Sequence, residues 1–211
     1  MGHDQYPKPG EVDRLYGCPL TSLRRAYRLS LMARMILRKL RDADIAQIRQ
    51  WPVYPGDMFQ MDYALRSQGW LDAFRTKPDV AIFVAQEGNE LIGFSLLIKT
   101  GTAEAEFRIA LRADKTGQGR GETIASLTLQ KGFAELGLSR VHLIVRKNNS
   151  RGIRLYQRLG FIDCGACWRE IRGVLVDFMM MAIGSGQFAR SRKKRKGENH
   201  DKEYAQGFNR H

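Results

Sequence analysis

The sequence predicts a mixed α/β domain, a sheet covered by helices, and three observations carry that prediction. Segments of alternating hydrophobicity interleave with segments of helical period. A turn with three glycines stands between one such strand and one such helix. The 211 residues are 43% apolar, which suffices to bury a core and excludes wholesale disorder. No internal repeat is visible.

In chain order, Ile36-Leu37-Arg38-Lys39-Leu40 suits a short strand. Asp42 then stands at an N-cap position before Ile45 and Ile48. Trp51-Pro52 stops that helix and Pro55-Gly56 extends the loop. A second helix is expected from about Gln60 to Phe74, with Met61, Leu65 and Trp70 facing inward. Val80–Ala85 and Leu91–Ile98 read as strands around a hairpin turn, Glu87-Gly88-Asn89-Glu90. Ala103 to Leu111 alternates, with Glu104, Glu106 and Arg108 on one face and Ala105, Phe107, Ile109 and Leu111 on the other.

A helix follows from about Gly121, where Ala125, Leu129, Phe133 and Leu136 recur at helical spacing and Gly137 closes it. Val141–Val145 is a strand, Ser150–Leu159 a short helix, and strand returns from Phe161. The last strand is Val174–Ile183. Residues 35–184 therefore form the expected domain, preceded by a poorly ordered extension over 1–34 and followed by a basic, flexible tail over 185–211. Met32 and Met35 are alternative starts.

Charge bounds the partners. The chain carries 35 Lys+Arg against 22 Asp+Glu, and this excess favours anionic ligands. The tail holds Arg190 and the run Arg192 to Lys196, which suits a solubilising segment and, weakly, nucleic-acid contact. No stretch is long and apolar enough to cross a membrane. Three cysteines make no disulfide framework, so a cytoplasmic chain is expected. Cys164-Gly165-Ala166-Cys167 lacks a second ligand pair and Met179–Met181 form no metal pattern, so no metal is expected.

The glycine turn runs Thr116-Gly117-Gln118-Gly119-Arg120-Gly121-Glu122. Glycine allows close backbone approach and positive φ, and the amides at a helix start favour an anion. Lys115 and Arg120 add charge nearby. Such a turn is a phosphate cradle or a bare strand-to-helix connection. A Walker loop needs Lys-Ser/Thr after its last glycine, where Glu122-Thr123 stand, and the dinucleotide fingerprint needs another spacing.

The segment resembles the coenzyme A loop of the GNAT (GCN5-related N-acetyltransferase) superfamily, written Gln/Arg-x-x-Gly-x-Gly/Ala. Gly119 and Gly121 match, and Thr116 stands where Gln or Arg is usual. Asn149-Ser150-Arg151-Gly152-Ile153-Arg154-Leu155-Tyr156-Gln157-Arg158-Leu159-Gly160-Phe161 resembles the family's N-x-x-A-x-x-L-Y-x-x-x-G-F segment, with Gly152 for the small alanine. The resemblance covers about residues 35–183. It implies one mixed, mostly antiparallel sheet flanked by helices, with acetyl-CoA as cosubstrate.

The resemblance also implies roles. Ile109, Ala110 and Leu111 would hold the pantetheine arm through their backbone, and an amide near Leu111 would polarise the thioester carbonyl. Gly117 to Glu122 would hold the pyrophosphate, beside Thr116. Asn149 would position the pantetheine or cap its helix. Tyr156 would be the general acid, since a phenol of pKa near ~10 can protonate a thiolate near ~8.5.

Glu104 and Glu106 are candidates for accepting the amine's proton, with His142 or a water chain behind them. Asp57 and Asp62 in the acceptor loop would attract a cationic amine. The acceptor is a primary amine, on a small molecule before a protein, and a homodimer is left open. The rival reading is a non-catalytic module that senses acetyl-CoA or binds nucleic acid.

Overall fold

A computed structural model describes residues 35–171 and 173–195. The expected extension over 1–34 and residues 196–211 of the expected tail lie outside the described residues. The strands are β1 (Met35–Lys39), β2 (Val80–Glu87), β3 (Glu90–Lys99), β4 (Glu104–Leu111), β5 (Arg140–Arg146), β6 (Ile162–Ile171) and β7 (Val174–Gly184). The helices are α1 (Asp42–Arg49), α2 (Trp70–Phe74), α3 (Arg120–Ala134) and α4 (Ser150–Leu159), and Gly56–Leu65 is a 3-10 segment.

One seven-stranded sheet has the order β1-β2-β3-β4-β5-β7-β6. Every neighbouring pair is antiparallel except β4 with β5. That single parallel pair needs a long crossover, and α3 supplies it. Alternation along the strands divides the core between the two sheet faces. On one face Phe83, Leu97, Phe107 and Leu143 pack with Leu129 of α3 and Leu159 of α4. On the other, Ile82, Val84, Phe94 and Leu96 pack with Ile48, Trp51 and Leu65.

Three local expectations change. Asp42 is the first helical residue rather than the cap. Arg41 occupies the N-cap, and its amide donates to the Asp44 carboxylate at 2.8 Å. Asp44 is buried and also accepts both Arg38 guanidinium nitrogens at 2.7 and 2.8 Å. The continuous helix expected from Gln60 to Phe74 is broken, because Gln68 adopts φ 63° and its amide bonds Asp72 at 2.8 Å. Leu65 is buried as expected, with Met61 and Trp70 packed at the margin of the same cluster.

The third change concerns the tail. Residues 185–195 are helical, and Phe188 is buried against the core, its ring tilted against that of Phe133 with centroids 5.5 Å apart. Arg195 donates to the carbonyl of Arg158 at 2.9 Å, which lays this stretch against the end of α4. Phe188 anchors the segment to the core, and Arg195 and the Ser185 amide tie its two ends.

Candidate active site

The site begins with what β4 and β5 fail to do. They pair only at Glu104↔Arg140, Ala105↔Val141 and Glu106↔His142, then diverge. The amide of Arg112 donates to the carbonyl of Ile92, so even-numbered residues of β4 spend their main-chain groups on β3. Ile109 and Leu111 therefore turn theirs into the gap, where no strand meets them. Ala110, expected to share that role, is a correction: it lies opposite Phe94 in a hydrogen-bonded row of the β3–β4 ladder.

The gap opens into a cleft of about 920 Å³. Thr116, Gly117, Gly119, Gly121 and Glu122 line one end. Gly117 and Gly119 have φ 77° and 78°, a region costly for residues with a Cβ. Among the described residues, no main-chain acceptor takes the amides of 117–121. Gly119 caps α3 without a side-chain bond, so these donors meet the positive end of the helix dipole. The cradle fits a pyrophosphate by its unpaired amides and by its lack of side chains.

Charge near the cradle comes from other residues than expected. Lys115 pairs with Glu90 at 2.8 Å, and Arg120 with Glu87 at 3.0 Å. Arg120 also contacts the Gln118 side chain, and neither side chain lines the cleft. Thr116 turns its hydroxyl onto the carbonyl of Ala113 at 2.9 Å. Glu122 pairs with Arg158 at 2.8 Å. Arg151 of α4 lines the cleft instead, its guanidinium 3.7 Å from where a Cβ on Gly117 would stand.

Tyr156 also lines the cleft, edge-on to Phe107 at 6.3 Å and to Phe161 at 5.6 Å. Its hydroxyl has no hydrogen-bond partner among the described residues. Burial raises its pKa above the ordinary phenol value, which keeps the proton on at neutral pH. Glu104 and Glu106 line the cleft too, yet both are engaged, with Arg140 at 3.4 Å and Arg108 at 2.7 Å. His142 stands beside Glu106 in register, and its buried Nδ1 has no partner.

The model of the acetyltransferase (GNAT) domain family matches residues 34–162. The chain belongs to the GNAT family. Spermidine N(1)-acetyltransferase of Escherichia coli (strain K12) is 30% identical over 115 residues, covering 53% of this chain and 62% of that protein. The Vibrio cholerae (El Tor Inaba N16961) protein of the same description is 30% identical over 106 residues, 48% of this chain and 61% of that one. The chain thus spans less than two thirds of the length of these relatives.

Among solved structures, a chimera of the Vibrio cholerae spermidine N-acetyltransferase superposes with a TM-score of 0.63 at 24% identity. It covers 74% of this chain and 98% of that chain. The Vibrio cholerae enzyme in complex with CoA and spermine gives 0.62 at 23% identity, over 74% of this chain and 99% of that one. These likenesses establish the GNAT fold.

Within this GNAT chain, Asn149 is a helix cap: its Oδ1 accepts the amide of Gly152 at 2.9 Å. Gly152 is what admits that contact, because a Cβ there would lie 2.6 Å from the Asn149 amide nitrogen. Asp62 is held by Arg66 at 2.5 Å and does not line the cleft. The Asp57 side chain lies outside the described residues. Sequence reasoning missed Tyr54, a loop residue whose buried hydroxyl donates to the carbonyl of Leu111. It also missed Arg151, although that residue sits inside the Asn149–Phe161 segment.

Cys164 is exposed at the cleft, and neither Cys164 nor Cys167 is disulfide-bonded. Among the described residues no group of His, Cys, Asp and Glu has metal-binding spacing, and no helix is long and apolar enough to cross a membrane.

Proposed function

We propose that the chain transfers an acetyl group from acetyl-CoA to a primary amine of a small molecule, inside a ternary complex. The observation that carries this reading is the divergence of β4 from β5 after Glu106, which leaves the Ile109 main chain and the Leu111 amide without a strand partner beside an unpaired amide cradle. The relatives, named as acting on spermidine, support a small-molecule amine over a protein one.

Acetyl-CoA supplies an activated acyl group: the amine nitrogen attacks the thioester carbon, the C–N bond forms, and the C–S bond breaks to release thiolate. The chain's residues handle position and protons. Ile109 offers a main-chain donor and acceptor along the gap, and the Leu111 amide is suited to polarising a carbonyl. The amides of Gly117 to Gly121, with Arg151, suit the pyrophosphate end. Tyr156 holds its proton where a leaving sulfur would accept it. Burial disfavours a bare thiolate as it does a phenolate, so the leaving sulfur's demand for a proton rises along with the phenol's hold on it.

Proton removal from the incoming ammonium falls to Glu106 or to His142, whose Nδ1 is unpartnered. Calorimetric titration of acetyl-CoA into the full chain, followed by thiol release with an amine panel, tests the reading. Binding with amine-dependent thiol release is expected. Folded protein that does not bind acetyl-CoA would overturn it.

A further inference from the structure

The acceptor end of the cleft is lined by the polar face of β4 and β5 and by Tyr54, Met58, Met61, Tyr63 and Trp70. A polyamine brings two or more ammonium groups, and each needs a carboxylate or an open aromatic face once water is displaced. Arg108 occupies one of each. Its Nε pairs with Glu106 at 2.7 Å, and its guanidinium carbon lies 5.4 Å from the Trp70 ring and 4.9 Å from the Phe74 ring. Trp70 is further enclosed by edge contacts to Tyr63 at 6.1 Å and Phe94 at 6.4 Å.

The other carboxylate of this face, Glu104, is paired with Arg140. Glu170 of β6 also lines the cleft, but it is exposed, and a charge at a wet rim steers ligands more than it holds them. Apart from the further cations Arg146 and Arg169, the remaining wall is thioether, ring and aliphatic side chain. It can bury an apolar body and leaves one amine to be handled at the β4–β5 gap.

Resting on the acetyltransferase reading above, we infer that Arg108 sets the acceptor class, and that the acceptor is a monoamine with an apolar or aromatic body rather than a polyamine. The fork of Arg108 neutralises Glu106 and lies over the Trp70 and Phe74 rings, so a second ammonium meets a like charge. A flat ring fits beside Met58, Met61 and Tyr63 with no charge to satisfy.

The test uses the full chain with acetyl-CoA and compares 2-phenylethylamine, spermidine and a peptide N-terminus by thiol release. Wild type is expected to favour 2-phenylethylamine over spermidine by about tenfold or more in kcat/KM. Arg108→Gln, which frees the Glu106 carboxylate, is expected to narrow that preference by about tenfold. Arg108→Lys keeps the charge but loses the flat stack, and is expected to retain most of the preference. Acetyl-CoA titration of each variant checks that its fold persists. Equal or better use of spermidine or the peptide by wild type would overturn the inference, as would an unchanged ratio in a folded Arg108→Gln protein.

If acetyl-CoA binds and no amine releases thiol, the acetyltransferase reading has failed. Calorimetry of 2-phenylethylamine and spermidine against CoA-saturated protein then decides the acceptor class separately. Tighter binding of 2-phenylethylamine would uphold the monoamine assignment, and its failure to bind more tightly would overturn it.

Discussion

The hydroxyl of Tyr54 donates a hydrogen bond to the carbonyl of Leu111, joining the loop after α1 to the last residue of β4. Leu111 turns its main chain away from β3, so without Tyr54 that carbonyl faces the gap unpaired. The bond fixes the strand end from which an amide is proposed to act on the thioester. Tyr54→Phe is expected to lower stability by about 1–3 kcal/mol through the orphaned carbonyl. It should also lower kcat more than it raises KM for acetyl-CoA. Urea unfolding and steady-state kinetics check the two effects.

Tyr54 also carries a pH dependence. Burial pushes its pKa up to about 12, and the charge of Asp62 adds to that rise. The unfolded chain loses this proton near pH ~10, before the folded protein does. Stability from the protonated phenol is therefore complete below pH ~10 and is lost as pH climbs toward about 12. Tyr156 is shifted in the same direction. Thermal melts across that window should fall steeply for wild type and less steeply for Tyr54→Phe.

Tyr156→Phe removes the proton and keeps the ring against Phe107 and Phe161. Acetyl-CoA affinity should stay within about twofold, while kcat falls by roughly 10²–10⁴, the range for general acid–base groups. Because the raised phenol stays protonated at neutral pH, wild-type kcat should show no basic limb from this residue below pH ~10. An unchanged kcat in a folded Tyr156→Phe protein that still binds acetyl-CoA would refute the assignment.

Much of this was legible in the sequence, and what was not has identifiable causes. The strands announced themselves because Val80–Ala85 and Leu91–Ile98 are continuous apolar runs, as strands covered on both faces are, and Ala103–Leu111 alternates. The glycine turn and the Asn149–Phe161 segment did the same for the site, because their chemistry is carried by local backbone. The break at Gln68 was hidden, since a non-glycine residue at positive φ leaves no trace in composition. Lys115 and Arg120 were expected to add charge to the cradle, but Glu90 and Glu87 of the β2–β3 hairpin hold them. That is a tertiary contact across more than twenty residues of sequence. The helix over 185–195 buries Phe188 among many basic neighbours, and composition outvoted that one apolar residue.

Gly152 offers a sharp steric test. A Cβ there would stand 2.6 Å from the Asn149 amide nitrogen, although alanine is the residue of the resembling motif. Gly152→Ala improves helix propensity by up to about 1 kcal/mol but displaces the cap, which is worth about 1 kcal/mol. The two effects should nearly cancel in stability. Hydrogen exchange at the Gly152 position should nonetheless quicken, because its amide loses the Asn149 acceptor. A slower exchange in the variant would show that the cap survives.

The cradle's charge can be apportioned by comparing Arg120→Ala with Arg151→Ala. Arg120 is spent on Glu87, and its side chain does not line the cleft. Removing it frees a carboxylate outside the site and should change acetyl-CoA affinity by no more than about threefold. Arg151 lines the cleft, makes no ion pair among the described residues, and reaches over Gly117. Its loss should weaken acetyl-CoA by about tenfold or more, the scale of one charge-assisted hydrogen bond. Titrations at low and high salt separate the two variants further. The wild-type salt dependence should persist in Arg120→Ala and flatten in Arg151→Ala, because only the latter removes a screened attraction to phosphate. The opposite pattern would mean that Arg120 leaves Glu87 when the cosubstrate arrives.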